Sequence, residues 1–204
     1  LIITRFLERQ THYLGLPMRI LLIDNFDSFT YNLVHYLQQV CNHEIYVVRN
    51  DAIALDEVNS FDKILISPGP GLPIDAGVTM SVIQNYCKTK NILGVCLGHQ
   101  AIAQNFGARL KNLPVVSHGI ASTILVKQKH QLFDGLPDAF EVGRYHSWVV
   151  DESDLPEDLI ITAVDDAGLI MALKHKSLDI HGVQFHPESI MTTHGLDLLR
   201  NWVE

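Results

Sequence analysis

The feature that most constrains the fold is a set of short apolar runs alternating with segments of helical periodicity. Arg19-Ile20-Leu21-Leu22-Ile23-Asp24 has no polar residue in its interior. A strand with one wet face alternates, whereas an unbroken run fits a strand covered on both faces, as in a parallel sheet. Residues 44–49, 62–67 and 91–95 give three more strands. After the first, Asn25-Phe26-Asp27-Ser28 is polar and suited to cap a helix. Phe29, Leu33, Tyr36, Leu37 and Val40 then recur at helical spacing. Residues 76–88 read as a helix, and 100–106 as another ended by Gly107. Strands alternating with helices imply parallel βαβ units, in which ligands bind at the carboxyl ends of the strands.

The second half is patterned differently. Residues 122–127, 140–146, 159–165, 169–174 and 180–185 are strand-like runs, separated by turn residues such as Asp134-Gly135 and Ala167-Gly168. They predict antiparallel or mixed pairing. A last helix over 193–203 would turn Leu196, Leu199 and Trp202 inward. The expected fold class is therefore α/β: a largely parallel, mixed central sheet flanked by helices, with short antiparallel strands in the second half. Residues 18–204 form one domain. The preceding stretch, Leu1 to Pro17, has two readings: a leader upstream of Met18, or a short helix using Ile3, Phe6, Leu7 and Leu14.

Composition narrows the function. The chain has 204 residues, 47 % hydrophobic and 19 % charged, enough for one α/β domain with a real core. Its net charge of −8 and lack of any Lys/Arg block argue against nucleic acid or an anionic membrane as partner. No apolar run approaches the length of a membrane span. Three cysteines without metal spacing fit a reducing, cytoplasmic setting. Cys87 and Cys41 read as packing residues. Eleven histidines follow no metal-ligand pattern, and neither a metal nor a cofactor is expected.

Gly94-Val95-Cys96-Leu97-Gly98 places the third cysteine between two glycines, after a strand and before a helix. This is the cysteine form of a nucleophile elbow, a tight corner that presents the sulfur. The helix N-terminus favours the thiolate, the form that attacks a carbonyl carbon. A buried structural cysteine is an equally good reading of the elbow alone. Ninety residues further on, Gln184-Phe185-His186-Pro187-Glu188 supplies partners. His186 can take and return a proton, and Glu188 can hold its ring and stabilise its charged form. In an extended segment residues two apart share a side, so His186 and Glu188 would stand together. Ser67-Pro68-Gly69-Pro70-Gly71 lies at another strand end and reads as a rigid turn. It can also offer a backbone oxyanion donor at Gly71, with a second at Leu97.

Four segments together, Ser67–Gly71, Gly94-Val-Cys-Leu-Gly-His-Gln100, Arg144-Tyr-His-Ser147 and Gly182-Val-Gln-Phe-His-Pro-Glu188, resemble the class I (triad) glutamine amidotransferases. Asp24-Asn-Phe-Asp-Ser-Phe-Thr-Tyr-Asn32 and Glu188-Ser-Ile-Met-Thr-Thr192 narrow the resemblance to the glutaminase subunits of anthranilate and aminodeoxychorismate synthases. The resemblance covers residues 18–204 and implies a flavodoxin-like fold. It implies Cys96 as nucleophile, His186 as base and acid, and Glu188 as its orienter. Gly71 and Leu97 become oxyanion donors, and Gly69, Pro70, Gly71, Gln100, Ser147 and Trp148 line the glutamine site. Trp148 stands where the family often has Leu, which matters little if its contact is through backbone. His99 and His146 would support the site without reacting.

L-glutamine is then the substrate, and a large chorismate-binding synthase subunit the partner that receives the ammonia. Asp27 to Asn32 and the rim near Cys96 are expected to face that partner. Anthranilate synthesis is the first reading. The others are aminodeoxychorismate synthesis, a stand-alone γ-glutamyl hydrolase, and a regulatory subunit without catalysis.

Overall fold

The computed structural model describes residues 17–204; the proposals for Leu1 to Leu16 lie outside the described residues. β1 (Arg19–Asp24) is the hub of the first half, pairing in parallel with β2 (Glu44–Arg49) on one side and β3 (Lys63–Ile66) on the other. β4 (Asn91–Val95) follows β3, and β9 (Ile180–Val183), drawn from the far end of the sequence, lies parallel to β4. Beyond β9 the sheet turns antiparallel through β8 (Ile170–His175), β7 (Leu159–Asp165), β5 (Leu110–Val126) and β6 (Ala139–Val150). The order among the described residues is β2-β1-β3-β4-β9-β8-β7-β5-β6.

The unbroken apolar strands are explained by two cores, one on each face. Ile20 and Leu22 point to one, with Leu33 and Leu37 of α1 (Thr30–Val40) and Leu198, Leu199 and Trp202 of α4 (Gly195–Val203). Leu21 and Ile23 point to the other, with Val82 and Ile83 of α2 (Thr79–Tyr86) and Ala101 and Ile102 of α3 (Leu97–Asn105). Period-2 alternation therefore persists, but both faces are dry. Cys87 is buried and Cys41 half-buried against these cores, as packing residues.

Several expectations need correction. The strand expected at 122–127 is the end of β5, which begins at Leu110. Register shifts between Asn112 and Ser117, and between His118 and Ile120, let the strand absorb Pro114 and Gly119. The segment 25–28 supplies no side-chain cap to α1, whose N-cap is Phe29; Asp24 Oδ1 accepts from the backbone of Phe26 and Asp27, and Asp27 Oδ1 accepts from Phe29 N. In α4, which starts two residues later than expected, the buried stripe is Gly195, Leu198, Leu199, Trp202 and Val203, so Leu198 rather than Leu196 is fully buried. The helix expected from residue 76 starts at Thr79, after Gly77 in a left-handed conformation (φ 51°).

Candidate active site

Cys96 sits between β4 and α3 with φ 52° and ψ −100°, a region that side chains other than glycine rarely adopt. The corner is held from both sides. Cys96 N donates to Val183 O at 2.8 Å, fastening the elbow to β9. A β-carbon on Gly94 would stand 2.4 Å from the Gly98 backbone, and one on Gly98 would stand 2.6 Å from Ile66 O. The two glycines thus let α3 start directly on top of β3 and β4. Leu97 opens α3, so its N–H belongs to the first turn, where helices have no acceptor of their own.

His186 and Glu188 arrive from the turn after β9. His186 N donates to Gly143 O of β6 at 3.0 Å, and Thr192 Oγ1 donates to His186 O at 2.6 Å while accepting from Gly143 N at 3.0 Å. The segment from Pro187 onward is therefore a turn pinned to β6, and His186 and Glu188 do not stand on an extended segment. The side chains still meet: His186 Nδ1 donates to Glu188 Oε1 at 2.7 Å, with both residues 2 % exposed. The ring of His186 packs edge-on against Tyr145 (4.9 Å between centroids) and Phe29 (5.7 Å). Its Nε2 is buried and makes no hydrogen bond of regular geometry. Burial opposes the charged ring. Its interactions with the Cys96 side chain and with Glu188 outweigh this, so the His186 pKa stands well above the usual histidine value.

The sulfur is less open than expected. Cys96 is 6 % exposed, and the fully buried Gln184, which follows β9, donates from Nε2 to Cys96 Sγ at 3.6 Å. Gln100, on the next turn of α3, donates to Gln184 Oε1 at 3.1 Å and to Trp148 O at 2.8 Å. Trp148 thus engages Gln100 through its backbone, which makes its side-chain identity secondary here. Ser147 lies beside it on β6, half-buried.

The Ser67–Gly71 loop leaves β3 at the same sheet edge. Ser67 is buried, with its Oγ accepting from Asn25 N at 2.9 Å and its carbonyl accepting from Asn25 Nδ2 at 2.9 Å. Asn25 Oδ1 in turn accepts from Asn50 and Thr79. Gly69 is half-buried, and a β-carbon there would lie 2.6 Å from Asn25 Cβ. Pro70 and Gly71 are exposed, with Gly71 left-handed at φ 75°.

Two histidines read as supporting residues are buried. His99 is pushed down to about 4 by burial. His146 is pushed down to about 3 by burial and then by the adjacent Arg144 charge. Gln184, Thr192, Asn25 and Gly195 carry contacts that sequence reasoning did not assign. Asn25 and Gln184 work through partners far away in the chain, whereas Gly195 meets Pro187 across the intervening turn.

A strained cysteine at a strand-to-helix corner beside a histidine–carboxylate pair is an arrangement for acyl transfer through a thioester. The family model for "Glutamine amidotransferase class-I" matches residues 21–204. The chain belongs to that family. Among its relatives is the aminodeoxychorismate/anthranilate synthase component 2 of Bacillus subtilis, 46 % identical over 187 residues, covering 91 % of this chain and 95 % of that protein. The anthranilate synthase component 2 of Azospirillum brasilense is also 46 % identical over 187 residues, covering 90 % and 94 %. A solved structure from Thermoplasma acidophilum, described as that of a GMP synthase component, superposes with a TM-score of 0.83 at 26 % identity, covering 93 % of this chain and 94 % of that one. As a class-I glutamine amidotransferase, the chain has glutaminase chemistry to perform, and the fold is that of the family.

Proposed function

We propose that this chain is the glutaminase subunit of a chorismate-using synthase, with anthranilate as the product of the complex. The observation that carries the reading is the pairing of His186 with Glu188 beside an elbow cysteine. Cys96 attacks the side-chain amide carbon of L-glutamine, and His186 delivers its proton to the departing amine, releasing ammonia and leaving a γ-glutamyl thioester. Water, activated by the now neutral His186, then releases glutamate. Glu188 holds the ring tautomer and the charge throughout.

The N–H of Leu97 and a donor from the Gly69–Gly71 loop receive the oxyanion of each tetrahedral intermediate, each donor being worth about 3 kcal/mol in such sites. Gln100, Ser147 and Trp148, together with Gly69 and Pro70, hold the glutamine. No cofactor or metal enters the scheme.

Ammonia released into neutral water becomes ammonium and loses its nucleophilicity. The synthase partner must therefore sit over the site. A groove of about 340 Å³, lined by Phe29, Tyr36, Tyr145, Glu188 and Ile190, runs up to the His186 partner. Around it Tyr31 is 69 % exposed and Ile190 97 % exposed, apolar surface that a second subunit would cover. Docking there, on the segment from Asp27 to Asn32, also accounts for a sulfur that is nearly closed in the chain by itself. A reducing, cytoplasmic location suits the free thiol.

The Bacillus subtilis relative carries both pathway names, so aminodeoxychorismate synthesis is the second reading. The deciding experiment pairs the chain with the large subunit of each synthase and identifies the aromatic product. In the productive complex, Cys96→Ser abolishes glutamine-dependent synthesis and leaves ammonia-dependent synthesis intact. Full glutamine turnover by the isolated chain, unchanged by either large subunit, would instead mark a stand-alone hydrolase.

A further inference from the structure

We propose that Gln184 is a further catalytic residue, whose side-chain amide donates to Cys96 Sγ and holds the sulfur as thiolate. The inference rests on the glutaminase reading for its purpose, but its geometry stands separately. The direction of the amide follows from a backbone carbonyl. Trp148 O can only accept, and it faces Gln100 Nε2 at 2.8 Å and His146 Nδ1 at 3.1 Å. Gln100 must therefore turn its NH₂ inward. Its second donor then meets Gln184 at 3.1 Å, so Gln184 must present its oxygen there. The NH₂ of Gln184 is left facing Cys96 Sγ at 3.6 Å. Reversing Gln184 would set two NH₂ groups against each other.

The chain of bonds continues away from the sulfur. With its proton on Nδ1, His146 accepts at Nε2 from Arg144 Nε at 3.2 Å. The Arg144 guanidinium is held by Asp165 at 2.6 Å, in an ion pair whose side chains are 8 % and 2 % exposed. A buried ion pair, a neutral histidine, a carbonyl and Gln100 thus fix one amide in one orientation. Gln100, His146 and Arg144 are positioning residues in this arrangement.

Gln184 is fully buried, so no water replaces its donor. A hydrogen bond to an ionised acceptor is stronger than one to a neutral acceptor, so this contact favours the thiolate over the thiol. The titratable groups sharing this interior are His186 and Glu188 after β9, His99 on α3, and His146 and Arg144 on β6. Of these, His186 acts on the sulfur through its charge; Gln184 adds a second donor that never titrates.

The test is the pH dependence of Cys96 alkylation by iodoacetamide in the full chain, read on the Cys96 peptide by mass spectrometry. Gln184→Glu keeps an acceptor for Gln100 and sets a carboxylate against the sulfur; Gln184→Met removes donor and acceptor at similar volume. The expected result is a rise of about one unit or more in the pH of half-maximal alkylation, larger for Gln184→Glu. That corresponds to a loss of about ten-fold or more in rate near neutral pH. The limiting rate at high pH is retained. A midpoint that stays in place in a folded variant overturns the proposal.

In the unaltered chain, the ¹⁵N–¹H resonances of the Gln184 side-chain amide should shift through the same midpoint as alkylation. Resonances flat through that midpoint overturn the proposal without any substitution. Glutamine hydrolysis by the unaltered chain with its synthase partner is measured in parallel. Its absence would defeat the glutaminase reading and leave the alkylation result standing on its own.

Discussion

The carbonyl oxygen of Pro187 lies where a side chain on Gly195 would have to begin, 1.7 Å from the position of a β-carbon there. The first residue of α4 is thereby pressed onto the turn that carries His186 and Glu188. α4 is itself anchored in one core by Leu198, Leu199 and Trp202. The core thus sets the height of that turn.

Gly195→Ala should consequently do two things at once. Forcing a methyl group against backbone costs about 1–3 kcal/mol of stability, as other overpacking changes do. The relief available is movement of Pro187, which separates His186 from Cys96 and lowers kcat. Urea unfolding and glutaminase kinetics on the same variant check both effects. Leu196→Ala, one residue on but half-buried, should affect stability modestly and kcat little.

Glu188→Gln keeps a hydrogen-bond acceptor beside His186 Nδ1 and removes the negative charge. The raised pKa of His186 depends in part on that charge, so the variant should hold the ring less readily as imidazolium. Glutamine turnover should fall by about 10²–10⁴-fold, the range general acid–base catalysis supplies. Ammonia-dependent synthesis in the complex should be unaffected. Steady-state rates with each nitrogen source distinguish the two.

Stability should fall on acidification through the histidines that the fold keeps neutral. His99, at about 4, and His146, at about 3, lie below their unfolded value of about 6.5. Between those limits the unfolded chain binds more protons than the folded one, so stability rises with pH there and is lost as pH drops. Each of these two groups contributes up to about 1.4 kcal/mol per pH unit within its window. His186 has the opposite sign: its raised pKa stabilises the fold fully below about 6.5, and that part fades as pH climbs through its folded value. Urea midpoints measured from pH 7 to pH 4 should therefore decline. His146→Asn should flatten the slope, whereas a slope unchanged by that variant would speak against a buried neutral imidazole.

The inner parallel strands were legible because they are buried on both faces with no polar interruption, as at Ile20–Ile23, whereas β2 lies at the sheet edge with Tyr46 exposed. β7 was equally clear from Leu159 to Asp165. β5 was not, because Val115, Val116 and Ile120 lie on exposed strand and Pro114 and Gly119 interrupt the pattern. Those residues are accommodated by bulges that only the pairing with β6 specifies. In the candidate site, Cys96, His186 and Glu188 could be proposed from local motifs, since elbow, imidazole and carboxylate each announce their chemistry by type. Gln184 stood in full view between Val183 and Phe185, yet an amide has no chemistry of its own to announce. The role proposed for it depends on Gln100 from α3 and Trp148 from β6, which meet only in the folded chain. The same holds for Gly195, whose neighbour Pro187 is brought close by the turn between them.

The most direct measurement is to mix the chain and its synthase partner rapidly with glutamine, quench in acid, and locate any glutamyl adduct by peptide mass spectrometry. The account predicts a γ-glutamyl thioester on Cys96, accumulating when His186 is replaced by a residue that still permits slow attack but cannot activate water. Glutamine turnover that survives Cys96→Ala, or an adduct found on Cys41 or Cys87 instead, would contradict it.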